Sequence, residues 1–163
     1  MRAFIRTTLT WILVAFVGDT MIAPVIDIKG VAPDFSVIAL VLLALAAGAT
    51  PATAGGFMLG LVQDLSNPSL LGLQALCKSG LGFALGRLRG HLVYGVPLVE
   101  GAVVALSVFA HDFVFLLVQS NLSDERFLVP LLARTIPVAL YSGLAAIPLI
   151  RLAEYLGILR QED

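Results

Sequence analysis

Ser107, His111 and Asp112 are the residue types from which a nucleophilic triad is built, and they stand close together in the chain. In a helix, however, adjacent side chains diverge by about 100°. Asp112 is then badly placed to orient the His111 ring, and the triad is set aside. Metal chemistry fares no better. His91 and His111 belong to opposite ends of one apolar segment, and Cys77 is the single cysteine. A cysteine-based metal centre and an intrachain disulfide are therefore both excluded. No phosphate-binding G-x-x-x-x-G-K-[ST] is present. No cofactor is expected, and no enzymatic activity. What remains is a set of polar groups placed in or beside hydrophobic runs: Asp19, Gln63, Asp64, Lys78, His111, Asp112 and Arg134. A charge held in hydrocarbon costs roughly 3 kcal/mol on insertion scales, so each of these needs a compensating neighbour. They are the candidate intramembrane polar network or partner-binding residues.

The elements that must position them follow from composition. Of 163 residues, 59% are hydrophobic and only 13% charged, against about 25% charged in soluble domains. With a mean hydropathy of +0.99, the chain reads as an all-α, polytopic integral membrane protein forming one domain over 1–163. A formal net charge of −1 and the lack of a basic run give no sign of nucleic acid. Apolar segments fall at 4–24, 34–49, 51–65, 70–87, 92–118 and 128–149, a compact bundle of six transmembrane helices. Crossing about 30 Å of hydrocarbon takes about 20 residues; the second to fourth segments are short and are expected to be tilted or broken. Arg2 and Arg6 before the first apolar run resemble a signal peptide, but no cleavage site follows, so the segment is read as a retained helix.

The basic residues orient the bundle. With a cytoplasmic N-terminus, Arg2, Arg6, Arg87, Arg89, Arg151 and Arg160 lie inside, and only Lys29 and Arg126 outside. Both termini are then cytoplasmic. Asp19, Gln63, Asp64, His111, Asp112 and Arg134 all fall in the outer half, and Lys78 lies near mid-membrane. Asp19 and Asp64 read either as helix ends wetted by the interface or as members of the network. Arg134 is placed deeper and is expected to pair with Asp112, with Asp19 as second choice. Lys78 is either paired inside the bundle or turned to a partner's helix. Ala44, Gly48, Ala52, Gly56 and Gly60 form a small-residue stripe across a turn at Pro51, and Gly82 and Gly86 add a second G-x-x-x-G. Such spacing lets helix backbones approach closely, either within the bundle or against another protein's helix. Pro137 removes an amide hydrogen bond and leaves the Ala133 carbonyl underbonded, so a kink in the last helix is expected.

The stretch "GLVQDLSNPSLLGLQALCKSGLGFALGRLR", with "APDFSVIALVLLALAAGATPATAGGFMLG" before it, resembles the bacterial rod shape-determining protein MreD family. The specific part is Gln63-Asp64 followed by Leu73, Ala75, Leu76 and Lys78. The resemblance implies a non-enzymatic inner-membrane component of the cell-elongation complex, or elongasome, that serves cell shape and peptidoglycan synthesis. It implies MreC as the binding partner, through that protein's membrane helix, and RodA, a class B penicillin-binding protein and MreB as further associates. The family also resembles the six-helix substrate-binding subunits of energy-coupling-factor transporters. That makes binding of a vitamin-like small molecule the alternative function, with lipid handling also open. The large amphipathic rings available to such a pocket are Trp11, Tyr94, Tyr141 and Tyr155.

Overall fold

The computed structural model describes residues 2–66, 70–91, 96–123 and 127–155. The expectations for Arg126, Arg160, Tyr94 and the Asn67–Ser69 part of the third connection lie outside the described residues. Six helices make up the described residues. α1 (Arg2–Val17) runs into a π-helical turn, Gly18–Ile22. α2 is Phe35–Ala47, α3 Ala49–Ser66, α4 Leu73–Leu88, α5 Pro97–Ser123 and α6 Leu128–Tyr155. Pro97–Leu122 and Leu128–Tyr155 are long and apolar enough to cross a membrane, whereas Thr10–Ile22 and Phe35–Ala47 are shorter apolar stretches.

The shortness of α2 has a simple cause. Every residue from Phe35 to Leu45 is buried, and α1, α3, α4, α5 and α6 all contact it. A helix apolar on all sides is one surrounded by protein. At 13 residues it spans about 20 Å, and its neighbours rather than lipid cover its length. Asp34 caps it, accepting from the Val37 N–H at 2.9 Å; an aspartate just before an apolar run is a regular N-cap signal.

Two tight hairpins flank this pillar. In the α3/α4 pair, a Cβ at Gly56 would overlap the Lys78 carbonyl, one at Gly60 the Ala75 backbone, one at Gly82 the Ala52 carbonyl and one at Gly86 the Ala49 backbone. These four glycines therefore serve internal backbone contact and present no free face to another protein. In the α5/α6 pair the same device appears at Gly101 and Gly143, each facing the other's carbonyl oxygen.

Two helix breaks differ from expectation. The α2–α3 break sits at Gly48, with φ of 85°, and not at Pro51, which lies in the first turn of α3, where a missing N–H costs nothing. In α6, where a kink at Pro137 was expected, there is a π-helical turn, Leu131–Thr135, and Pro137 lies in the first turn of the α-helical stretch that follows it.

Candidate functional site

The connection between α1 and α2 turns tightly at Lys29 and Gly30, both at positive φ. Asp27 Oδ1 accepts from the Gly30 N–H at 2.6 Å. Two bonds tie this connection to α6: the Tyr141 hydroxyl donates to the Ile26 carbonyl at 2.9 Å, and the Asp34 N–H donates to Ser142 Oγ at 2.9 Å. The N-terminus of α2 is thereby held beside α6, and the polar residues gather around it.

Asp19 reaches that N-terminus from the π-helical turn of α1. Its Oδ1 accepts from the Phe35 N–H at 3.0 Å, and its Oδ2 from Gln63 Nε2 at 3.3 Å. Gln63 Nε2 also lies 3.0 Å from Ser36 Oγ, which in turn donates to Asp34 Oδ1 at 2.6 Å. Two carboxylates, Asp19 and Asp34, thus use amide donors of one helix N-terminus, where the helix dipole favours negative charge.

Asp64 is not wetted by an interface. It is 2% exposed, and its carboxylate accepts from the backbone N–H groups of Gly72, Gln74 and Ala75, each at 3.0 Å. It stands near the C-terminal end of α3, an unfavourable place for an anion, and is stabilised by the orphan donors opening α4.

Lys78 is 1% exposed. Its Nζ lies 3.3 Å from His111 Nε2 and 3.4 Å from Gln74 Oε1. Among the described residues no carboxylate oxygen is within ion-pair distance of it. The other His111 nitrogen, Nδ1, lies 3.0 Å from Asp112 Oδ1, and Asp112 Oδ2 accepts from the Thr135 hydroxyl at 3.0 Å. An ammonium only donates, so Nε2 accepts from Lys78 and Nδ1–H donates to Asp112. The chain Lys78–His111–Asp112–Thr135 runs from α4 through α5 into the π-helical turn of α6. Asp112 therefore does orient His111, contrary to the expectation from helical angles, and its second oxygen is held by Thr135. The Ser107 hydroxyl donates to the Val103 carbonyl at 2.7 Å, and His111 Nε2 meets Lys78 rather than Ser107.

The expected Arg134–Asp112 ion pair is absent. Both Asp112 oxygens are engaged by His111 and Thr135, while Arg134 is an exposed residue at the cavity mouth, with no carboxylate within ion-pair distance among the described residues. Neighbouring Thr135, turned inwards by the π-helical geometry, takes the place assigned to it.

Asp19, Gln63, Lys78, His111, Asp112 and Arg134 all line one cavity of about 460 Å³, together with Asp27, Asp34, Gln74, Gln119 and Thr135. Asp64 and the four glycines stay outside it. Of these additional residues, Asp34 and Thr135 carry the most geometry. The "PDFS" N-cap signal was available for Asp34, but nothing in the sequence singles out Thr135. At the opposite end of the bundle, buried Glu100 accepts from Arg151 Nη2 at 2.7 Å, and Glu154 accepts from Nη1 at 2.5 Å. This second polar cluster joins α5 to α6 and was not anticipated.

A family model described as rod shape-determining protein MreD matches residues 1–156. No curated protein and no solved structure matches the chain.

Proposed function

The chain belongs to the MreD family of rod shape-determining membrane proteins, and on that premise we propose that it is a non-enzymatic component of the cell-elongation complex. It sits in the bacterial inner membrane with both termini in the cytoplasm. There it binds an MreC-type partner through that partner's membrane helix and so helps position peptidoglycan synthesis, with RodA, a class B penicillin-binding protein and MreB as wider associates. The observation that carries this reading is the family match over nearly the whole chain.

Because Gly56, Gly60, Gly82 and Gly86 are occupied inside the α3/α4 hairpin, the partner's helix is assigned to the outer face of that hairpin. A shallow groove of about 590 Å³ runs there between Thr50, Thr53, Ala54 and Ser79, flanked by Phe57 and Phe83. Small and hydroxyl side chains between aromatic shoulders suit close helix packing in lipid. The test is co-purification with MreC from a membrane extract. Ala54→Leu, which fills the groove, should abolish recovery of MreC while the protein still accumulates. Gly56→Leu should abolish accumulation itself. Full recovery of MreC by the Ala54→Leu protein would remove this face from consideration.

A further inference from the structure

The lining of the 460 Å³ cavity is charged in an unequal way: Asp19, Asp27, Asp34 and Asp112 against Lys78 and Arg134. Most of the acidic oxygens are already engaged. Asp19 takes Phe35 N–H and Gln63, Asp112 takes His111 and Thr135, and Asp34 Oδ1 takes Ser36 and Val37. The cationic donors are less fully engaged. The two contacts of Lys78, at 3.3 and 3.4 Å, are longer than the usual N–H···O range of about 2.7–3.2 Å and leave its third N–H available. Arg134 adds a fork of donors at the mouth, with no described carboxylate in reach. Lys78 is attracted to Asp34 and Asp19 across a distance but touches neither carboxylate among the described residues, so an incoming carboxylate that reaches its Nζ supplies the direct contact.

The same cavity disfavours a purely anionic guest, because four carboxylates face two cations. Asp34 Oδ2 and Asp27 Oδ2, which lie outside the bonds made to Ser36, Val37 and Gly30, are matched to a positive group. A volume of about 460 Å³ lies in the ordinary range for small-molecule sites, about 300–1,000 Å³. We propose that this cavity binds a small zwitterion of amino-acid to dipeptide size. Its carboxylate lies against Lys78 and Arg134, and its ammonium faces Asp34 and Asp27. This goes beyond the partner-binding role above and does not depend on it.

The test uses the full-length protein in nanodiscs. Titration calorimetry is run with alanine, glutamate and alanylalanine, and with the N-acetyl and C-amide forms of the dipeptide. Saturable binding of at least one free zwitterion is expected, with both blocked forms at least about tenfold weaker. Arg134→Gln, at an exposed position, should weaken binding about tenfold, and Lys78→Met should abolish it. No saturable binding of any panel member overturns the proposal. So does equal binding of the N-acetyl form, or unchanged affinity in the Arg134→Gln protein. Because Arg134 lies at the surface, that last result stands even if Lys78→Met fails to fold.

Discussion

Lys78 Nζ and His111 Nε2 lie 3.3 Å apart, joining α4 to α5 in the buried interior. The contact fixes the ring: Nε2 must accept, so the ring proton sits on Nδ1 and points at Asp112. Removing the ring leaves a buried ammonium with Gln74 as its remaining contact, and leaves Asp112 Oδ1 without its donor. His111→Ala should therefore lower stability by about 1–3 kcal/mol, the usual range for a buried polar group left unsatisfied. Thermal unfolding of the detergent-solubilised protein measures this. Unchanged unfolding would mean that water replaces the ring without loss.

Asp64 holds the start of α4 through three backbone N–H groups. Asp64→Ala removes a complete cap, for which losses of about 0.5–2 kcal/mol are typical. The buried setting places this site at the upper end. Asp64→Asn keeps one acceptor oxygen and should lose roughly half as much. Equal losses for Asn and Ala would show that the carboxylate charge, and not hydrogen-bond geometry, matters at this position.

Much of the bundle was legible because its signals are local. Six apolar segments correspond to six helices, and the glycine spacing marked a close helix pair. The sequence could not say which side of that pair was used, since small-residue spacing is the same for internal and external contacts. Only the approach of Gly56 to the Lys78 carbonyl, so close that a Cβ would overlap it, decides it. The polar residues were found because charge in an apolar run is conspicuous, yet their pairing was misassigned. Arg134 and Asp112 stand at similar depth on neighbouring helices, but the π-helical turn Leu131–Thr135 shifts the register so that Thr135 faces Asp112. A widened turn has no simple sequence mark beyond the nearby proline. Short α2 looked like a tilted or broken span, and only its burial from Phe35 to Leu45 shows it to be the central pillar.

Topology offers a separate test. The proposed orientation puts the cavity on the outer side, because the basic residues Arg87 and Arg151 lie towards the other ends of α4 and α6. A reporter active only in the cytoplasm should give signal when fused after Asp163 and none when inserted within 119–127. Equal signals from both positions would contradict the assigned orientation, and with it the reading of the cavity as facing outwards.

A double-mutant cycle separates two arrangements of Asp112. Its Oδ2 accepts from Thr135 at 3.0 Å, whereas Arg134 stands one residue away in sequence and makes no ion pair with it. Residues in direct contact show coupling of about 0.5–3 kcal/mol, while independent ones add within about 0.3–0.5 kcal/mol. Asp112→Ala should destabilise through both His111 and Thr135, and Thr135→Val should destabilise through one hydrogen bond. The double variant Asp112→Ala with Thr135→Val should then lose less than the sum of the singles. Asp112→Ala with Arg134→Ala should lose the sum, since Arg134 lies in the mouth and contributes little to the folded state alone. Unfolding midpoints of the three single and two double variants in one detergent decide the matter. Coupling to Arg134 with none to Thr135 would restore the ion pair and remove Arg134 from the donors open to a ligand.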